Sequence, residues 1–351
     1  MALGLVVLCL LRVPTAHAQV AVTGITYGTL VDNANSTSGG LTYLNRDSTV
    51  STVTSSLGDY QFNGPLANNV FFRRNTDSNA NGTSNQTTDN PNNTTIIYQA
   101  NASNQDLGNY HATAEQVFLD GDLYTGIRNP FANGAGTAAN SNVERIDFYF
   151  SGGYTVQAND AVVFFDVENA GNFGDGFRIA AYTGIGTVNG FTNAPTTYAS
   201  SGLFVPADSF GGPINNPEGT STATYRRSTF TNADNLSGTA SSGTLQLVGI
   251  QISFADLGIS AGTTIYGYSL MAGDTAPTTA ADLVNWNSAT YFPTNTDPTG
   301  YGNMDFMGFG AQIARPVPEP STYGAIFIAT ILGLRGVRRL VSRAKLHTSE
   351  G

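Results

Sequence analysis

Along this chain, apolar and polar positions alternate in short runs instead of recurring every three or four residues. The clearest case is residues 145–150, where Ile146, Phe148 and Phe150 fall on one parity and Arg145, Asp147 and Tyr149 on the other. A period of two sends successive side chains to opposite faces of a strand, so this run predicts an antiparallel strand buried on one face only. Residues 161–165 are apolar without a break, which predicts a strand covered on both faces. In 245–254 the apolar parity switches between Leu247 and Val248, so that strand either buries both faces or carries a bulge near Gly249. Residues 20–30, 177–182 and 263–270 have the same short, β-branched and aromatic character. Asn159-Asp160, 211–213 and 258–262 separate the runs as turns. Within the body only 279–286 reads as a helix, capped by Thr278 or Thr279. Evenly spaced strands with almost no helical periodicity predict a mainly β body, an antiparallel β-sandwich or jelly roll.

Three stretches break this pattern. Residues 75–109 hold ten asparagines and only Ile96, Ile97, Tyr98 and Leu107 as large apolar groups. So little apolar surface does not offset the entropy of ordering, which predicts an exposed excursion that grips the sheet at 94–98. Residues 2–11 are apolar, and Ala16-His17-Ala18 is a small-x-small cleavage site before Gln19, so 1–18 reads as a secretory signal peptide. Its removal takes away Cys9, the only cysteine, and leaves a body at 19–316 without disulfides. The third stretch is the C-terminal end. Val317-Pro318-Glu319-Pro320-Ser321-Thr322 is followed by an apolar run at 323–334, then by Arg335, Arg338, Arg339, Arg343 and Lys345. The two prolines hold the first part extended. The apolar run, continued to Val341, is nineteen residues long, close to the ~20 that span a hydrocarbon core.

The order of these three parts resembles the PEP-CTERM sorting signal, which a membrane peptidase called exosortase reads in many Gram-negative bacteria. The resemblance covers 317–345, about a tenth of the chain. It implies a single transmembrane helix, a stop-transfer cluster of Arg335, Arg338, Arg339 and Arg343 on the cytoplasmic side, and exosortase as partner. It also implies export across the inner membrane, transient anchoring, and a final place at the cell surface or in the extracellular matrix. Exopolysaccharide or an envelope glycan is then the expected neighbour of the body.

Charge and chemistry narrow the body further. Residues 19–316 contain nine basic residues, all arginine, against twenty-three acidic ones, a net of −14. An acidic surface this lean in cations disfavours nucleic acid and anionic lipid as partners. His111 is the body's one histidine and the chain's one lysine is Lys345. Cys-His catalysis, a His-rich zinc site, a Schiff base and a P-loop are therefore excluded from the body. A two-carboxylate glycoside hydrolase needs only two acids across a cleft, with Glu115, Glu144, Glu168 and Glu218 as candidates. Two acidic loops have a composition that suits calcium, although the same residue types also make ordinary β-turns. One is Asp120-Gly121-Asp122. The other draws Asp166, Glu168 and Asp175 from 166–175, where glycines and asparagines free carbonyl and amide oxygens. Tyr266, Tyr268, Trp286, Tyr291, Phe292 and Tyr301 fit either a β core or a sugar-stacking surface. The sequence as a whole predicts a non-catalytic exported body, with a carbohydrate-binding or adhesive module as the alternative.

Overall fold

Phe164 and Phe148 show how the alternating runs become layers. Their rings meet at 6.2 Å, and Phe148 stacks on Tyr268 at 4.9 Å. The first ring stands on Ala161–Glu168, the other two on Val143–Thr155 and Thr264–Ala272, strands of two different sheets. In this computed structural model the two sheets pack face to face, as in a sandwich, around a shared apolar core. The described residues are 19–318 and Leu332, apart from 33–35, 39–40, 44–45, 75–94, 98–110, 120, 133–142, 173, 217–218, 224, 233–234, 241–244 and 298. The chain forms two compact units, Met1–Arg315 and Pro316–Gly351. The second is described only at 316–318 and 332, so most of the sorting segment and its apolar run lie outside the described residues. Among the described residues, no helix is long and apolar enough to cross a membrane.

The smaller sheet runs Phe191–Tyr198, Phe177–Val188, Thr264–Ala272, Val143–Thr155 and Asn69–Arg74, every pair antiparallel. The larger sheet has Val20–Asp32, Gln246–Ser253, Ala161–Glu168, Asp305–Met307 and Thr125–Arg128 at its centre, also antiparallel. Beyond Thr125–Arg128 the sheet becomes mixed. Arg226–Asn232 joins in parallel, and Asn235–Ala240 pairs in parallel with Thr95–Ile97. The sequence reading did not anticipate parallel pairs. Thr95–Ile97 belongs to the asparagine-rich segment and lies at its expected grip point; the rest of 75–109 lies outside the described residues.

The larger sheet also curls. Val20–Asp32 pairs with Arg46–Ser55 through three register shifts, and bulges of this kind bend a strand. The curl encloses a second apolar cluster on the sheet's other face, which includes Val22, Val53, Val163 and Phe165. Ala161–Glu168 is therefore buried on both faces, as the unbroken apolar run at 161–165 predicts for its first part. Gln246–Ser253 resolves to the first of its two alternatives. Its register against Ala161–Glu168 runs through Gly249 without a shift, so both faces are buried and no bulge is present.

For 145–150 the expectation of one exposed face is overturned. Arg145 and Asp147 have no exposed surface. An apolar cluster covers them, drawing Ala194 and Tyr198 from the sheet's own edge strand together with Leu283, Trp286 and Phe292. Under it, Arg145 Nε and Arg73 Nε donate to the two oxygens of Asp147 at 2.7 and 2.8 Å, and Ser269 Oγ donates at 2.6 Å. Arg145 Nη1 donates to Leu283 O at 2.5 Å, and its guanidinium lies 4.7 Å from the Trp286 ring. The polar parity is polar because it carries an internal ion network, not because it faces solvent. The expected helix at 279–286 is also shorter, a 3-10 turn at Ala280–Leu283. Thr279 is its N-cap, one of the two expected, in a capping box with Asp282, whose carboxylate accepts the backbone N–H of Thr278 and Thr279 at 2.9 and 2.7 Å. One helix went unpredicted, Ala114–Leu119, six residues too few to show a period.

Candidate metal centre

Alternation along Ala161–Glu168 decides where its acids go. Val162 and Phe164 enter the core between the sheets, while Val163, Phe165 and Val167 face the curl. Continuing the parity, Asp166 and Glu168 point to the inter-sheet side at the end of the strand. The loop that follows crosses to Phe177–Val188 of the smaller sheet and carries Asp175 back towards them. Gly171 and Gly174 give this loop its left-handed positions, with φ of 95° and 90°. At Gly174 a side chain is excluded on a second ground, since an added Cβ would fall 2.0 Å from the Phe210 ring. The outcome is three carboxylates, each with an oxygen within 4.8 Å of the others.

Backbone amides hold the innermost of them. Asp166 Oδ1 accepts N–H from Val167 at 2.8 Å and from Asp305 at 3.0 Å, and its Oδ2 accepts N–H from Asp175 at 3.0 Å. Burial pushes the Asp166 carboxyl well above the usual range, and the charges of Glu168 and Asp175 push it further. Glu168 is raised to about 8, first by burial and then by Asp175. Asp175 is raised too, mainly by burial, although hydrogen bonds from Glu168 and Asn303 work against the rise. Glu168 and Asp175 share a side-chain hydrogen bond, so the cluster favours keeping a proton among its three carboxyls. A divalent cation seated among the three would displace a shared proton and offset most of their mutual repulsion. The donor set is all oxygen, with Asn172 beside Glu168 and Asn303 beside Asp175, the hard-ligand chemistry that suits calcium.

The other expected residues scatter. Asp122 is buried, and its Oδ1 accepts N–H from Ser48 at 3.1 Å and Tyr124 at 3.0 Å, a structural tie between two elements; Asp120 lies outside the described residues. Glu115 accepts from Val70 N at 3.2 Å and Asn69 Nδ2 at 2.9 Å, so it anchors the short helix to the smaller sheet. Glu144 is buried within Val143–Thr155, and Glu218 lies outside the described residues. A groove of about 100 Å³ lies between Val50, Phe118, Phe309 and Gln312, and no carboxylate lines it. Of the six aromatics, Tyr268, Trp286 and Phe292 are fully buried, Tyr266 and Tyr291 are half-buried, and Tyr301 is exposed. The other five fill or pack against core clusters, and no coplanar exposed pair is present among the described residues. Asp305 and Asn303 belong to the cluster's surroundings but were missed, because they lie more than 125 residues from Asp175 in the chain.

No family model, no curated protein and no solved structure matches this chain.

Proposed function

We propose that this chain is an exported surface or matrix protein with a non-catalytic, calcium-held β body, which exosortase sorts through Val317-Pro318-Glu319-Pro320-Ser321-Thr322. The body's part of the reading rests on the convergence of Asp166, Glu168 and Asp175 at the junction between the two sheets. A cation there ties the end of a core strand to the loop that leads into the opposite sheet, so binding selects the folded state. Stability rises by RT ln(1 + [Ca]/Kd), about 2.7 kcal/mol at a hundredfold excess over Kd. In a body of this size that moves the melting temperature by a few degrees. Calcium titration with thermal unfolding should show this rise, magnesium should give less of it, and Asp175→Ala should abolish it. A flat response to calcium, or an equal rise in the variant, would return the cluster to a proton-sharing carboxyl group.

Delivery is tested separately. An extended Pro-Glu-Pro segment ahead of an apolar run presents backbone to a peptidase outside the bilayer, while the arginines keep the far end cytoplasmic. Changing Pro318 and Glu319 to alanine should leave an unprocessed, membrane-bound precursor in pulse–chase labelling. Maturation at the normal rate would make the segment a linker only.

A further inference from the structure

Among the described residues, no carboxylate matches the charge of Arg178. This arginine stands on Phe177–Val188 at the parity opposite Phe177 and Ile179, so it faces away from the inter-sheet core. Its Nε donates to Thr275 O at 2.9 Å and its Nη1 to Gly202 O at 3.2 Å. Both acceptors are carbonyls. Arg73, Arg145 and Arg315 each reach a carboxylate within 3.3 Å; among the described residues no carboxylate pairs with Arg178. Half-buried charge without a counter-charge is costly, and this chain has acids to spare at a net charge of −10. The guanidinium carries five N–H donors, and three remain.

Two aromatic rings stand beside it. Phe204, the register partner of Arg178 on the edge strand Leu203–Val205, has its ring centre 5.8 Å from the guanidinium. Tyr301 meets Phe204 edge-on, with centroids 6.2 Å apart and planes at 70°. Tyr301 is 49% exposed, the one exposed aromatic among the described residues. Gly273 makes room for it, since a Cβ there would lie 2.5 Å from the Tyr301 ring. An open ring and an unmatched cation thus share one edge of the smaller sheet.

We propose that Arg178, Phe204 and Tyr301 form a subsite for a single uronic acid residue in an otherwise neutral glycan. The carboxylate takes the free N–H groups of Arg178, and the apolar face of the sugar ring lies against Tyr301. A densely charged polyanion is disfavoured because the chain's own negative charge repels it, whereas one isolated carboxylate makes the local contact with little of that repulsion. The subsite uses none of the carboxylate cluster and does not depend on how the chain is sorted.

The test is ligand-observed NMR titration of the full chain in detergent solution with methyl glucuronide, methyl glucoside, acetate and benzoate. Methyl glucuronide should bind weakly, and methyl glucoside at least ~10-fold more weakly, the scale of one charge-assisted hydrogen-bonded contact. Tyr301→Ala, at an exposed position, should lower glucuronide affinity by ~10-fold. Arg178→Gln should bring the glucuronide down to the level of the glucoside. If that variant does not fold, the ratio between the two sugars in the unaltered chain still decides. Equal binding of the sugars, acetate binding as tightly as the glucuronide, benzoate binding more tightly, or indifference to Tyr301→Ala would each overturn the assignment.

Discussion

At Asp147, two guanidiniums share one carboxylate at full burial. Burial alone would raise the Asp147 carboxyl; the charge of Arg145, then of Arg73, with hydrogen bonds from Arg145 and Ser269, outweighs it and holds the group below its ordinary value of 3.8. The sign for stability follows. The unfolded chain binds this proton more readily, so the network's contribution is full above pH ~4 and is lost as pH falls through the lower folded pKa. Asp147→Asn should destabilise the protein by about 3–5 kcal/mol at pH 7, because two buried cations lose their partner. In urea unfolding, the gap between the variant and the parent should close as pH drops below 3.8. A gap that stays constant with pH would mean the loss is one of packing, not of charge. The alternation of 145–150 was plain in the sequence, but the solvent on its polar side was an assumption. Nothing local separates an arginine facing water from one facing an aspartate and a tryptophan.

At the scale of elements, Thr264–Ala272 is the middle strand of the smaller sheet, with neighbours on both sides. Gly267 pairs with Tyr149 on one side and Tyr182 on the other. It sits at a φ of 151°, and an added Cβ would fall 1.8 Å from Phe148 O and 2.3 Å from the Tyr182 hydroxyl. That hydroxyl donates to Phe148 O at 2.7 Å across the vacant space. Gly267→Ala should therefore cost at least ~3 kcal/mol, with the loss visible as a lower denaturant midpoint. A cost under ~1 kcal/mol would show that the tyrosine swings aside at little expense. The glycine was legible in the sequence, but its reason was not. Tyr182 is 85 residues away in the chain, and only the sheet order brings it to Gly267.

For the whole molecule, the body's sheets are built from distant pieces. Val20 pairs with Gln251, some 230 residues along the chain, and Asp166 pairs with Phe306. Such topology folds slowly, since loop closure precedes any reward from contacts. A chain of this size is also expected to pass through intermediates. Refolding from urea, followed by far-UV circular dichroism and fluorescence, should show more than one phase, the slowest on a timescale of seconds or longer. Single-exponential refolding within milliseconds would contradict the topology.

The strand content, the turns, the double burial of 161–165 and the grouping of Asp166 with Glu168 were all determined by local pattern. Each depends on neighbours two residues apart, and the pleat converts that spacing directly into a face. The tertiary structure alone decided which face meets what. It placed an apolar cluster over Arg145 and Asp147, turned part of the larger sheet parallel, and brought Asp305 and Asn303 to the carboxylates. It also set Tyr301 beside Phe204, whose ring adjoins Arg178. These outcomes depend on sheet order and register between segments far apart in the chain, and no period in a single strand encodes its distant partner.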